Sequence, residues 1–562
     1  MTEIVIKTAG IILLCLAVFA GFCIHQNRQR KLRLMGKIRR TWGERPVREY
    51  SGAEFDAIGR YFVRKKKDGF CIDDITWNDL DMDTVFMLLN HTWSCIGESY
   101  LYAMLRTPSF SKEELQERER LIRYFSEHNS EREKIEYFFA GIGKTGARSI
   151  FDYIYNLADY QEDSKTVHYI GIGLILAALA GIVIYPATGI LLLIGAIGFC
   201  WGTYFSRRKK IEPYILSCKC LLEMLKAADG LQKIKLPAIE KYQERIVEAK
   251  KKFGRFRRNS TFVVAGGFME SGGIEESIVA YLNLTFHLDL LQFNTMVREL
   301  RENLYAFESL TENIGMLESA IAIASFREMM QEWCVPALER TDDTYLRAKN
   351  VYHPMIDDPV KNSISVEKGV LLTGSNASGK STFLKTIAIN ALLAQTIHTC
   401  LADVWEENFC QIYSSMALRD DLMSQESYYI VEIKSLKRIM DHMEDELPLL
   451  CFVDEVLRGT NTVERIAASA QILKSMDRRK VQCFAATHDI ELTYVLEKEY
   501  ENYHFQEEVS EGDILFNYQL YEGRATSRNA IRLLSIIGYD DEIIRAAEAS
   551  AKRFVDTGEW SL

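Results

Sequence analysis

The sequence predicts an α/β domain in its last third, set behind a mostly helical region that carries three apolar helices of membrane-spanning length. Three observations lead there. Gly369–Thr396 reads as strand, glycine loop and helix in succession. Upstream, apolar residues recur at three- and four-residue spacing with charges between them. Ile4–Ile24 and Tyr169–Phe205 together hold one charged residue, Lys7.

Bulk properties bound the answer. At 562 residues the chain has room for several domains and a large core. The net charge of −10 provides no global basic field to gather nucleic acid, so any such contact is local. The 12 cysteines are scattered, with Cys218-Lys219-Cys220 the only close pair and no spacing that suits zinc. Free thiols in a reducing compartment follow. Nine prolines and no low-complexity tract fit a folded, helix-rich chain without long linkers.

The first element is the stretch Ile4–Ile24, expected as a transmembrane helix at residues 1–24. As a helix it rises about 31 Å, the thickness of a bilayer core. Arg28, Arg30, Lys31, Arg33, Lys37, Arg39 and Arg40 follow it, which places that flank in the cytoplasm. A cleaved signal peptide would carry its basic block on the other side and a small-residue cleavage site. Residues 25–75 read as a basic juxtamembrane linker. Residues 76–168 form a helical region: Leu88, Leu89, Ile96, Leu101 and Leu105 recur at helical spacing, and Ser111-x-x-Glu114 is a capping box opening a new helix.

Tyr169–Phe205 is too long for one span and divides at Tyr185-Pro186-Ala187-Thr188, giving a transmembrane hairpin at 169–206. Its many glycines allow close helix approach. Arg207, Arg208, Lys209 and Lys210 put its exit in the cytoplasm as well. Residues 207–345 read as long helices. Within them Lys250, Lys251, Lys252, Arg255, Arg257 and Arg258, interleaved with Phe253 and Phe256, form the most basic soluble patch. It admits nucleic-acid contact, a solvated helix end, or contact with anionic headgroups.

The domain at 346–562 carries the chemistry. Val370–Leu372 reads as a buried strand, and Gly374-Ser375-Asn376-Ala377-Ser378-Gly379-Lys380-Ser381-Thr382 fits G-x-x-x-x-G-K-[ST] before a helix. Backbone N–H groups of such a loop close around phosphates, Lys380 reaches the β/γ-phosphates and Ser381 can hold Mg²⁺. This loop predicts binding of a nucleoside triphosphate, ATP in a cytosolic setting. A second strand, Leu449–Val453, runs into Asp454-Glu455, suited to Mg²⁺ and to positioning or deprotonating the attacking water. A third, Val481–Ala486, runs into Thr487-His488, where a histidine can sense the γ-phosphate.

The succession GSNASGKST, DDLMSQESYYIVEI, FVDEVLRGTNT and AATHDIELT resembles the ATPase domain of the MutS family. The likeness extends to Tyr352-His353-Pro354, to GRATSRNAIRLLSIIGYDDEIIRAA and, more diffusely, back to NHTWSCIGESYLYAMLRTP, similar to the start of that family's core/lever domain. The resemblance implies an ABC-type P-loop ATPase domain with C-terminal dimerisation helices, preceded by an all-α core/lever. It implies a homodimer with composite ATP sites. Asn376 would contact phosphates, Ser427 would reach the partner's γ-phosphate in trans, Arg458-Gly459-Thr460 would signal between sites, and His488 would be the switch histidine. Glu455 and His488 are thus the expected catalytic pair, with Asp454 and Ser381 on Mg²⁺.

Departures from the family define the remaining expectations. Ser375 and Ala377 stand where the family usually has Pro and Met, and neither side chain is needed for the backbone cradle. No mismatch-reading domain with its Phe-x-Glu wedge is expected before the core, and no nuclease-like tail after Leu562. Phe125-Ser126-Glu127 and Phe268-Met269-Glu270 are accidental matches. The hairpin falls about where the family inserts its DNA clamp, so the lever arms are expected to end in the bilayer. The expected protein is a multi-pass cell-membrane ATPase with its motor in the cytoplasm, inheriting mismatched-DNA binding from its family. The alternative is an ABC-type membrane mechanoenzyme that never touches DNA.

Overall fold

The computed structural model describes residues 2–66, 69–157, 164–265, 274–375, 378–416, 428–458, 460–510, 513–525, 531, 534 and 538–557, and for most residues before Ile24 the backbone alone. The chain divides into two compact units that interleave in sequence. One comprises Met1–Lys66, Leu89–Ala103 and Arg120–Met329; the other comprises Lys67–Leu88, Met104–Glu119 and Met330–Leu562.

The first unit is helical. At its centre Leu304–Met330 is buried on nearly every face, which its run of apolar and small residues allows. Gly97 lets a neighbouring helix come close, because a Cβ there would lie 2.3 Å from Glu318 Oε2. Glu318 is itself buried, and it accepts hydrogen bonds from the backbone N–H of Trp93 (2.5 Å) and Ser94 (2.8 Å) and from the Ser94 hydroxyl. Both amides lie just before the helix Cys95–Arg106, which Ser94 Oγ caps by accepting from the Gly97 N–H (2.9 Å), so Glu318 fixes the capping residue in place. Burial holds the Glu318 carboxyl above its usual range against the pull of these donors.

Two helices in this unit are long and apolar enough to cross a membrane, Thr166–Ile184 and the segment Pro186–Glu212. Only Tyr185 separates the first from Pro186, which opens the next helix at a position where its missing N–H costs nothing. Ile175, Ala196 and Cys200 pack between the two, whereas Leu176, Val183, Ile184, Leu191, Leu192 and Ile194 face outward. The third expected span, at residues 1–24, is not among the membrane-length helices found in the described residues. Its backbone is helical, within Thr2–Thr41, but most of the side chains that would decide the matter lie outside the described set. The return helix does not stop at the basic cluster. It continues unbroken to Gln232, where Leu221, Met224, Leu225 and Leu231 are buried in the unit's core.

The basic patch at 250–258 differs from its sequence pattern. Phe253 and Phe256 are fully buried and stack edge-on with ring centroids 6.0 Å apart, so they are core residues and no platform for bases. Asp229 takes both Lys250 (3.0 Å) and Arg257 (2.6 Å). Phe125 is likewise core, and Phe268-Met269-Glu270 lies outside the described residues.

The second unit is built on two sheets from ten strands: β1 (Ala337–Glu339), β2 (Leu346–Val351), β3 (Asn362–Val366), β4 (Gly369–Thr373), β5 (Val404–Asn408), β6 (Gln411–Ser415), β7 (Leu449–Asp454), β8 (Val481–Ala486), β9 (Tyr500–Ser510) and β10 (Asp513–Glu522). The smaller sheet has the order β1-β5-β2-β3 and the larger β10-β9-β4-β8-β7-β6. In the larger sheet β9, β4, β8, β7 and β6 run parallel, and β10 pairs antiparallel on β9. Strands β4, β6 and β8 are buried at every position, as expected of continuous apolar strands covered on both faces. The helix Lys380–Ile397 is buried over almost its whole length behind them.

Residues from far upstream complete this unit. The buried Asp79 carboxylate accepts from Ser414 Oγ (2.7 Å) and Met416 N (2.9 Å), and Thr76 Oγ1 accepts from Ser414 N (3.1 Å). Arg438 joins Asp73 (2.5 Å) and lies over the Tyr413 ring. The edge strand β6 is thereby covered by polar partners instead of being left open.

Glu318→Ala should cost the protein about 2–4 kcal/mol, because three donors lose their acceptor in a buried place. Denaturant unfolding measures it; a loss below about 0.5 kcal/mol would show that the cap carries no weight.

Candidate nucleotide site

The site forms where β4, β8 and β7 end together. Gly374 leaves β4 at φ +147°, and a Cβ there would sit 2.7 Å from the Phe505 carbonyl oxygen and 2.9 Å from Ser378 Oγ. Only glycine turns the chain at that point. Past the loop, Lys380 opens its helix with its ammonium folded back onto the carbonyls of Gly374 (2.9 Å) and Ser375 (2.8 Å). Burial pulls the Lys380 pKa down, while Asp454, Glu455 and Glu507 hold it up. Ser375 donates its hydroxyl to Glu507 (3.0 Å). Asn376 and Ala377 lie outside the described residues, as do Ser427 and Gly459.

At the end of β7, burial raises the Asp454 carboxyl above its usual range, and a hydrogen bond from Ser381 opposes that rise. The two residues expected to share Mg²⁺ are therefore already paired through oxygen ligands, the donor type this hard cation takes. Glu455 adopts φ +60° and its N–H donates to the Ala486 carbonyl (2.9 Å). Its carboxylate is gripped on both sides: His488 Nε2 lies 2.8 Å from Oε1 and Arg458 Nε 2.6 Å from Oε2. The His488 bond is the main cause of a Glu455 pKa below the ordinary carboxylate value. Next to His488 in sequence, Asp489 takes Arg465 in a two-pronged ion pair (2.6 and 2.9 Å).

These groups line one cavity of about 660 Å³, bounded by Ser378, Gly379, Lys380, Ser381, Thr382, Glu455 and His488 on one side. Ser378 Oγ, buried in the loop, has no hydrogen-bond partner among the described residues, and a phosphate oxygen would supply one. The rest of the lining includes Tyr352, His353, Ile356, Phe505 and Tyr518, together with the acidic pair Asp357 and Asp358. His353 belongs to a stretch singled out by sequence, whereas Ile356, Phe505 and Tyr518 were not. Tyr518 lines the cavity from a bulge between Phe516 and Leu520, where its φ is +53° and Asn362 donates to the Tyr518 carbonyl and accepts from the Leu520 N–H. A bulge re-aims a side chain in this way without leaving a sequence pattern. The arrangement brings the Lys380 loop and several aromatic and apolar side chains to one cavity, a combination that suits the two ends of a nucleotide.

A family model for MutS domain V matches residues 370–555. The DNA mismatch repair protein MutS of Staphylococcus haemolyticus is 27% identical over 279 residues, covering 47% of this chain and 31% of that protein. MutS of Thermus aquaticus is 30% identical over 216 residues, covering 37% and 26%. Human MutS protein homolog 4 is 27% identical over 261 residues, covering 43% and 27%. The alignments span about a third or less of these relatives' own lengths. The domain match covers the stretch that holds β4, β7 and β8, so it is this part of the chain, with the site at the strand ends, that is similar to MutS domain V.

Proposed function

We infer that this protein is a membrane-anchored, dimeric MutS-type ATPase that couples nucleotide turnover to movement of its helical unit. The observation that carries the reading is the meeting of Lys380, Ser381, Glu455 and His488 around one cavity, with Asp454 hydrogen-bonded to Ser381. ATP would enter with its base against Ile356, Phe505 and Tyr518 and its phosphates over the loop. Lys380 would exchange its two carbonyl partners for phosphate oxygens. Mg²⁺ held by Ser381 and Asp454 would neutralise charge on the phosphates and fix their orientation. Glu455, ionised at neutral pH, would orient and deprotonate the attacking water, and His488 would hold the carboxylate in place. Ser427 of a second subunit would close the site from the other side.

Membrane attachment rests on the Thr166–Ile184 and Pro186–Glu212 helices with their outward-facing apolar side chains, and the basic residues after each apolar stretch favour a cytoplasmic motor. The amphipathic helix Asp541–Thr557, with Ile543 and Phe554 exposed, offers dimerisation surface. Mismatched-DNA binding would be inherited from the family. The second reading, a membrane mechanoenzyme without DNA, is favoured by the burial of Phe253 and Phe256, which removes the aromatic half of the only basic patch read from the sequence.

Three measurements on full-length protein in lipid nanodiscs test these readings. Glu455→Gln should lower hydrolysis about a hundredfold or more while retaining ATP binding; equal rates would remove Glu455 from the mechanism. His488→Ala takes away the main cause of the low Glu455 pKa. A lowered carboxylate pKa keeps the active ionised form as pH falls, so the acid limb of the rate profile should move to higher pH in the variant. An unmoved limb would mean that Glu455 is not the titrating group. Duplex DNA binding, if present, should weaken by at least about a hundredfold between about 50 and 200 mM salt, and absence of any salt-sensitive binding favours the second reading.

A further inference from the structure

Glu507 carries a charge for which the proposed reaction has no use. It sits on β9, where His504 is in register with Thr373, the last residue of β4. Phe505 and Glu507 are two positions apart and so share a face of the strand, and Phe505 lines the nucleotide cavity. The glycine loop is pressed against this stretch, since a Cβ on Gly374 would meet the Phe505 carbonyl oxygen at 2.7 Å. Glu507 itself is 8% exposed, and its Oε2 accepts from the Ser375 hydroxyl at 3.0 Å. A carboxylate is costly to bury, and this one is buried beside a loop whose ligand would itself be anionic.

Three acids support the Lys380 cation: Asp454, Glu455 and Glu507. The first two have tasks in the reading above, on Mg²⁺ and on water. Glu507 has neither, and it is not among the described residues that line the cavity, so its influence passes through the loop. Lys380 rests on the Gly374 and Ser375 carbonyls, and Ser375 is the residue that bonds Glu507. The negative charge therefore favours the ammonium where it rests and opposes an anion that would draw it away. In a protein interior such a charge acts well beyond contact distance, and it repels a phosphate chain in proportion to the charge that chain carries.

We propose that Glu507 is a specificity-determining residue that acts through the glycine loop, making the site accept nucleotide in its Mg²⁺ complex and turn away the free, more highly charged form. This rests on the ATPase reading above. Glu507 repels free ATP or ADP, which bring their full phosphate charge, more than it repels the Mg²⁺ complexes, whose charge is partly neutralised. Once the metal has left after hydrolysis, Glu507 draws Lys380 back to the two loop carbonyls and hastens the departure of ADP. Without its charge the loop would hold free nucleotide and release product slowly.

The test is equilibrium binding of ADP to full-length protein in nanodiscs, with excess Mg²⁺ or with EDTA, for wild type, Glu507→Gln and Ser375→Ala. Glu507→Gln removes the charge and keeps an acceptor for Ser375. It should bind Mg²⁺-free ADP about fivefold or more tighter than wild type, with a gain at least about twofold smaller for the Mg²⁺ complex. Ser375→Ala keeps the charge and removes the bond, and it should not tighten binding. If Glu507 only props the loop, both variants bind more weakly, by the same factor with and without Mg²⁺, and the proposal is overturned. An unchanged affinity in Glu507→Gln, or a gain independent of Mg²⁺, overturns it as well. Glu507→Thr also removes the charge and decides the matter if the glutamine variant does not fold. Lys380→Ala separates this proposal from the reading beneath it. If wild type binds no ADP, or binds it equally well without Lys380, the nucleotide-site reading itself fails. If binding depends on Lys380 and Glu507→Gln gains nothing, only the role of Glu507 fails.

Discussion

The arrangement of the site depends on one row of backbone pairing. Leu372 of β4 is in register with Ala486 of β8, and Ala486 is in register with Asp454 of β7. The three strands therefore finish level, and the next bonds out, Thr487 N–H to the Leu372 carbonyl and Glu455 N–H to the Ala486 carbonyl, are both 2.9 Å. Glycine loop, acidic pair and histidine emerge at one edge because of that row. A slip of one residue in any strand would turn its side chains to the opposite face and separate the groups by a whole repeat. Phe452 and Phe484, stacked at 5.5 Å on the neighbouring strands, and the fully buried β4 make such a slip costly.

Much of this edge was legible in the sequence, and for a physical reason. A fully buried parallel strand must be a short apolar run, and a phosphate loop must carry glycines where side chains collide, so both requirements are written locally. Lys380, Ser381, Asp454, Glu455 and His488 were found in that way, and they do converge. The aromatic and apolar part of the lining was not legible. Phe505 and Tyr518 come from an outer hairpin and Ile356 from a loop before β3, and nothing local distinguishes a tyrosine at a bulge from any other. The same holds for Asp73, Thr76 and Asp79, whose partners Arg438 and Ser414 lie hundreds of positions away.

The basic patch shows what spacing leaves open. Alternation of cations and aromatics has two origins: a face that meets polyanions, or a helix end whose apolar residues point inward while its cations stay wet. Spacing alone does not separate them. Phe253 and Phe256 are buried, and Asp229 neutralises two of the cations, so the second origin holds here. The long return helix was also understated by its sequence, since the cluster Arg207–Lys210 looks like an end. The helix runs on through that cluster and through Pro213 just beyond it, so neither marks its end.

Glu455 and Leu457 both hold left-handed backbone in a loop whose neighbours are tightly bonded. Each such residue raises the free energy of this conformer by about 1–2 kcal/mol. The gap to any conformer with ordinary angles is narrowed by the same amount, so the resting population is less one-sided than its contacts alone would make it. A ligand that selects the other conformer then needs about tenfold less preference for every 1.4 kcal/mol held in the loop. Glycine at either position would relieve that tension but would also delete the buried Leu457 side chain or the Glu455 ion pairs, which outweigh it, so the strain is held in place by the contacts these side chains make.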